Sequence, residues 1–128
     1  MNEQSGVPIP MRKVIDVFEI LAERWELTRE ESAQVLEMTV DEYEALLASL
    51  DETDDLEADQ PLILKIHLFI STHRALRMFT PDGAFNHFLN HPYEPEPLCG
   101  MSIKQFLITN NDNDSLGHLE RWANSMVV

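Results

Sequence analysis

Phe79-Thr-Pro-Asp-Gly-Ala-Phe-Asn-His-Phe-Leu-Asn-His-Pro92 runs on through Tyr93-Glu-Pro-Glu-Pro-Leu98 into Cys99-Gly-Met-Ser-Ile-Lys-Gln-Phe-Leu107. The stretch reads as a short capped helix, a proline-held loop, a glycine turn and a second short capped helix. Thr80-Pro81 predicts the start of the first helix, which runs to about Asn90. Pro92, Pro95 and Pro97 hold the loop extended, and Gly100 turns the chain. Ser102 caps a helix carrying Ile103, Phe106 and Leu107.

Working outward, every other segment also reads as helix, and no strand candidate survives. Upstream, Leu62, Ile66, Phe69, His73 and Leu76 form the stripe of a long helix, widened by Ile63, Ile70 and Phe79. Pro61 sits in its tolerated first turn, after Asp59 or Gln60. Downstream, Asn110–Asp114 predicts a polar turn. A last helix then carries Leu116, Leu119, Trp122 and Ala123, with Met126-Val-Val128 as an apolar tail. Near the start, Val14, Val17, Phe18, Leu21 and Trp25 share one helical face. Thr28-Arg-Glu-Glu31 and Thr39-Val-Asp-Glu42 are two capping boxes. They open a helix with Ala33 and Leu36 inward and another with Tyr43, Leu46, Leu47 and Leu50 inward. Two short helices around a tight turn have the outline of a helix-turn-helix. The expectation is an all-α protein of about seven helices: a flexible arm over 1–10, an acidic helix-turn-helix-like region over 11–50, an acidic linker over 51–60 and a compact helical domain over 61–128.

Charge is divided unevenly. Residues 1–60 hold 17 acidic and 4 basic side chains, whereas residues 61–128 hold 6 and 5, within a total of −14. Phosphate binding rests on cations, so the acidic front half opposes DNA binding. The first turns of the third helix offer Val40, Asp41, Glu42 and Glu44 to a major groove, with no Arg, Lys, Asn or Gln. Acidity also keeps a protein soluble, and it could mimic nucleic acid for a basic partner. One cysteine, Cys99, excludes an intrachain disulfide and predicts a reducing compartment. No apolar run nears the roughly 20 residues of a membrane span. The beginning, Met-Asn-Glu-Gln-Ser-Gly, lacks the features of a secretion signal. A cytoplasmic protein is expected, with no membrane association.

The chain resembles the Xre/MbcA/ParS-type bacterial antitoxins over residues 62–125. In that family a helix ending in Trp-Leu, an Asn-Pro-like loop, Gly-x-Ser-Pro and a Leu-rich helix follow one another. The matching residues here are Phe88-Leu89, His91-Pro92, Gly100-Met101-Ser102 and Phe106-Leu107. Phe88 replaces the family's Trp, and Ile103 replaces its Pro. The front half resembles the family too: Ala33-Gln-Val-Leu-Glu-Met-Thr39 stands where members read Ala-x-x-Leu-Leu-Gly-Val-Ser. Aligned at Thr39, Glu37 occupies the glycine position and is strained if that position needs a positive φ. The resemblance implies a protein that neutralises a cognate toxin, often a NAD-consuming RES-type enzyme, by covering its active-site entrance. It also implies a homodimer and repression of its own operon. The acidic front half speaks against the last. A DNA-binding autoregulator and an orphan helical interaction module are the alternatives.

The partner surface expected from the residues is the loop from His91 through Pro92, Tyr93, Leu98, Gly100 and Met101 to Ser102. Its prolines reduce the entropy lost on docking. Tyr93, Leu98 and Met101 either present apolar groups there or fold back onto the core. Arg121, Trp122 and Met126 form a second candidate, since Trp and Arg often anchor interfaces, though Trp122 also suits a core. Other chemistry finds little support. His87 and His91 have zinc-compatible spacing but lack further ligands. Asn110–Asp114 lacks the glycine and glutamate of a calcium loop. Cys99 has no base assigned by sequence, and no catalytic motif occurs. His73, on an apolar stripe, reads as a core histidine donating to a backbone carbonyl. No enzyme, cofactor or metal is expected.

Overall fold

A computed structural model describes residues 9–53, 55–81 and 83–126. Residues 1–8 of the expected arm, the Phe79 side chain and the end of the apolar tail lie outside the described residues. The fold is all-α. Its helices are α1 (Met11–Arg24), α2 (Arg29–Val35), α3 (Val40–Glu52), α4 (Gln60–Phe79), α5 (Phe85–Asn90), α6 (Ile103–Thr109) and α7 (Asn113–Ser125). Among the described residues the only β pairing is two isolated bridges, Pro10 with Glu57 and Pro92 with Ser102. No helix among them is long and apolar enough to cross a membrane.

α4 is the central post. Asp59 caps it by accepting from the Leu62 amide at 3.0 Å. Ile66, Phe69, Ala75 and Leu76 are buried along it, with Lys65, Thr72 and His73 among them. α7 lies along α4, capped by Asp112, whose carboxylate accepts from the Ser115 amide at 3.0 Å. Ser71 Oγ donates to Glu120 at 2.7 Å and Asn113 Nδ2 to the Pro61 carbonyl at 2.9 Å, fixing the register of this pair. α1 crosses the other side of α4. Its buried arc is Val14, Ile15, Phe18, Leu21, Ala22 and Trp25. Val17, expected inward, is 37% exposed, because the arc advances through Ile15 and Ala22 instead. Phe18, Trp25, Tyr43, Phe69 and Phe85 join α1, α3, α4 and α5 in one aromatic cluster, with Trp25 and Phe69 edge-to-face at 4.9 Å.

Front and back share this core. The expected acidic linker begins inside α3, which continues to Glu52. Beyond it, Met11 N–H donates to Leu56 and Ala58 N–H to Ile9, both at 2.9 Å, so residues 56–58 lie against the start of α1. The helix start expected at Thr80-Pro81 is corrected. Thr80 ends α4, its hydroxyl donating back to the Leu76 carbonyl, and Gly83 turns the chain at φ 84° before α5 begins at Phe85.

The two capping boxes form as the residues dictate. Thr28 and Thr39 each accept from the amide three residues on, and Glu31 and Glu42 each reach back. A repeat of 11 residues underlies them: Trp25-Glu-Leu-Thr28 with Glu31 recurs as Leu36-Glu-Met-Thr39 with Glu42. Each copy closes the preceding helix with a Schellman motif. Leu27 N–H donates to Ala22 and Met38 N–H to Ala33, both at 2.9 Å. The residues in the left-handed position are Glu26 (φ 56°) and Glu37 (φ 61°), where glycine is favoured.

Both glutamates reach across to the back half. Glu26 accepts from Asn86 Nδ2 at 2.9 Å, and its carbonyl accepts from Lys104 Nζ at 3.0 Å. Glu37 lies 3.0 Å from the ammonium of Lys65, which is 4% exposed and also donates to the Asn111 carbonyl. The two positions therefore answer oppositely to glycine. Glu26→Gly relieves strain and loses only an exposed contact, so it is expected to stabilise by about 0.5–1 kcal/mol. Glu37→Gly removes the carboxylate 3.0 Å from a buried cation and is expected to destabilise by about 1–2 kcal/mol despite the same relief. Urea unfolding of the two variants checks this, and a stabilised Glu37→Gly would remove any role for the ion pair.

Candidate partner-binding groove

The Phe79–Leu107 stretch builds one wall of a groove and α7 builds the other. His91 ends α5 in an extended conformation. The loop then closes on itself. Tyr93 N–H donates to Met101 at 3.1 Å and Gly100 N–H to Tyr93 at 2.7 Å. Leu98 and Cys99 N–H both donate to Pro95, at 3.0 and 3.2 Å. Cys99 (φ 47°) and Gly100 (φ 95°) make the return bend, and the Glu96–Pro97 bond is cis. Ser102 Oγ accepts from the Gln105 amide at 3.1 Å and starts α6 as its position dictates.

These bonds decide which loop residues face out. Leu98 is 1% exposed and anchors the loop in the core, so it is corrected from a surface contact to a support. Met101 is half-buried and packs on the core, with Asn110 Nδ2 3.7 Å from its sulfur. Tyr93 is half-buried at the junction. Its ring lies 5.4 Å from Phe88, 5.0 Å from His91 and 6.0 Å from Trp122. Burial raises the Tyr93 phenol above its ordinary pKa, and its hydroxyl donates to the Phe88 carbonyl at 3.4 Å. His91, Pro92 and Gly100 are exposed.

Tyr93 also brings the two expected surfaces together. Beside it opens a groove of about 580 Å³ lined by Glu96, Pro97 and Cys99 from the loop and by His118, Arg121, Trp122 and Ser125 from α7. Trp122, assigned to the core by its helical spacing, is half-buried and shared between core and groove. Arg121 is exposed, with Nη2 3.0 Å from His118 Nδ1. Met126 is 39% exposed one turn beyond Trp122. The groove thus has an acidic, proline-rich wall and a cationic wall around an indole face. It suits recognition of a side chain or short segment, and sequence reasoning alone keeps its halves apart.

The remaining candidates settle as follows. The His87 and His91 rings lie tilted with their centres 6.0 Å apart, but among the described residues no cluster of three metal-capable side chains exists. Cys99 is exposed in the groove wall. The outer surface of α3 presents Asp41, Glu42 and Glu44. Arg29 stands 3.7 Å from Glu19 and 5.4 Å from the Tyr43 ring, and Tyr43 donates to Glu19. His73 is corrected: it accepts rather than donates, its Nδ1 taking the Trp25 indole N–H at 3.0 Å. Around it lies a feature the sequence did not disclose, a cavity of about 250 Å³ lined by Arg24, Arg77, Gly83, Phe85 and Asn86 as well as His73. Neither a protein-family model, nor a curated protein, nor a solved structure matches this chain.

Proposed function

We propose that the chain is an antitoxin-like inhibitor that acts in the cytoplasm, neutralising a cognate toxin enzyme by binding it through the groove between the proline loop and α7. The observation that supports the reading is that Glu96, Pro97 and Cys99, from the same loop as the expected contacts His91–Ser102, line one groove with Arg121 and Trp122 of the second expected surface. The resemblance in Gly100-Met101-Ser102 and its flanking helices supplies the kind of partner, a toxin of the RES type. Inhibition of this kind needs shape and anchoring and no catalytic group of its own. The acidic outer face of α3 favours a protein partner over operator DNA.

Co-purification with the product of the adjacent gene, with growth assays of that gene alone and paired, tests the reading. A stable complex and restored growth are expected. A harmless neighbour that does not bind would leave an interaction module with another partner. Within a complex, Arg121→Glu is expected to weaken binding by about tenfold, or about 1.4 kcal/mol, without altering the melting temperature. Unchanged affinity in isothermal titration would move the contact away from this groove.

A further inference from the structure

We propose that the groove between α1 and α3 is a second docking surface and receives a basic amphipathic helix of a partner protein. The groove has a volume of about 480 Å³. Its floor is apolar, with Ile15 from α1 and Leu50 from α3, both buried. Above the floor stand Ile20, 52% exposed, and Leu47, half-buried. Docking an apolar side chain here removes that surface from water, which favours association. The rim is acidic. Asp16 and Asp51 are exposed on its two sides, and Glu19 is shared with Tyr43 and Arg29. Arg12 also lines the groove and is engaged within the chain, so one lining cation stands among three lining carboxylates. The surface has no lining residue in common with the groove between the proline loop and α7.

Shape and charge select the occupant. Two helices form the walls, and the channel between them accepts a third by ridges-into-grooves packing. From Arg12 to Ile20 the groove follows about 12 Å of α1, the length of roughly two turns of a docked helix. Among the described residues the only β pairing is isolated bridges, so no strand edge competes as a template for an extended segment. The α3 wall is of one sign: Asp41, Glu42, Glu44, Asp51 and Glu52 lie along it with no cation among them. Charge complementarity therefore places Lys or Arg beside the apolar stripe of the docked helix. A second copy of the chain, itself at −14, would bring the same carboxylates against these and be repelled. A nucleic acid meets the same repulsion.

The probe is a synthetic helix of about 14 residues, with leucines on one face and lysines on the other. Its counterpart carries glutamates in place of the lysines. NMR of the full chain reads the methyl groups of Ile20 and Leu47 in the groove, with Leu64 and Met78, exposed on α4, as controls for other apolar surface. The lysine peptide is expected to shift Ile20 and Leu47 saturably and to leave Leu64 and Met78 still. The glutamate peptide should shift neither pair. Ile20 is exposed, so Ile20→Lys leaves the core intact. It and Asp51→Lys are each expected to weaken binding by about tenfold. Leu64→Lys adds the same charge as Ile20→Lys outside the groove and should change the affinity little. Equal losses in Ile20→Lys and Leu64→Lys would reduce the binding to net charge and overturn the proposal. Equal binding of the glutamate peptide, or no saturable shift of Ile20 with either peptide, would overturn it as well. So would a dimer in analytical ultracentrifugation that Ile20→Lys dissolves, because the groove would then hold a second copy.

Discussion

Trp25→Ala is expected to remove about 4–5 kcal/mol of unfolding free energy, the largest single loss in the molecule. Trp25 has no exposed surface and meets Phe69 at 4.9 Å and Phe85 at 6.2 Å, both edge-to-face. It is the C-cap of α1 and the residue before the strained Glu26, so its ring fixes where the chain leaves the helix. Truncation opens a cavity that helices on three sides cannot close. It also strands His73 Nδ1, whose donor is the indole N–H. An unpaired buried acceptor contributes about 1–3 kcal/mol of that loss. Trp25→Phe separates the two effects. It keeps most of the packing and loses the hydrogen bond, and is expected to cost about 1–2 kcal/mol. Small domains have only about 5–15 kcal/mol in total, so the alanine variant will be partly unfolded at 37 °C. Urea denaturation at 25 °C measures both. A loss under about 1 kcal/mol for Trp25→Ala would mean that α1 does not pack against α4 as described.

The dependence of the whole fold on Trp25 shows which features sequence carries and which it does not. Both Thr capping boxes, the Asp59 and Ser102 caps, the Gly100 turn and the stripe through Ile66, Phe69 and Leu76 are legible because each rests on residues within one or two helical turns. The glutamates in the left-handed C-caps are half legible. Glu37 stands out at a glycine position, but its partner Lys65 is 28 residues away, and the matching role of Glu26 appears only once the repeat is aligned on the structure. Thr80-Pro81 misleads because the same residues suit the end of a long helix. Groove and cavity alike are out of reach of sequence. The first needs Tyr93 placed between Phe88 and Trp122, and the second needs Arg24 and Arg77 placed around His73. Neither relation has a sequence period.

His73 makes that long-range arrangement measurable through pH. Burial first, and then the charges of Arg24 and Arg77, lower its pKa from 6.5 to about 4 in the folded chain. The unfolded chain keeps the ordinary value. Between these limits the unfolded state binds a proton that the native state refuses, so stability rises with pH across the window. On acidification the loss begins near pH 6.5 and is complete near pH 4. It amounts to about 3 kcal/mol, because each pH unit between the two values is worth about 1.4 kcal/mol. Asp112 acts in the same sense at a lower pH. Hydrogen bonds from the Ser115 amide and hydroxyl hold its carboxyl below the usual range, so its contribution is present above that range and fades as pH falls through the lowered value. His73→Gln isolates the histidine by replacing it with an acceptor that does not titrate. Urea unfolding at pH 7, 5.5 and 4 is expected to show a steep fall for the native sequence and a markedly shallower one for the variant. Parallel curves would mean that His73 titrates normally. Burial and the two nearby guanidiniums would then not hold the ring neutral.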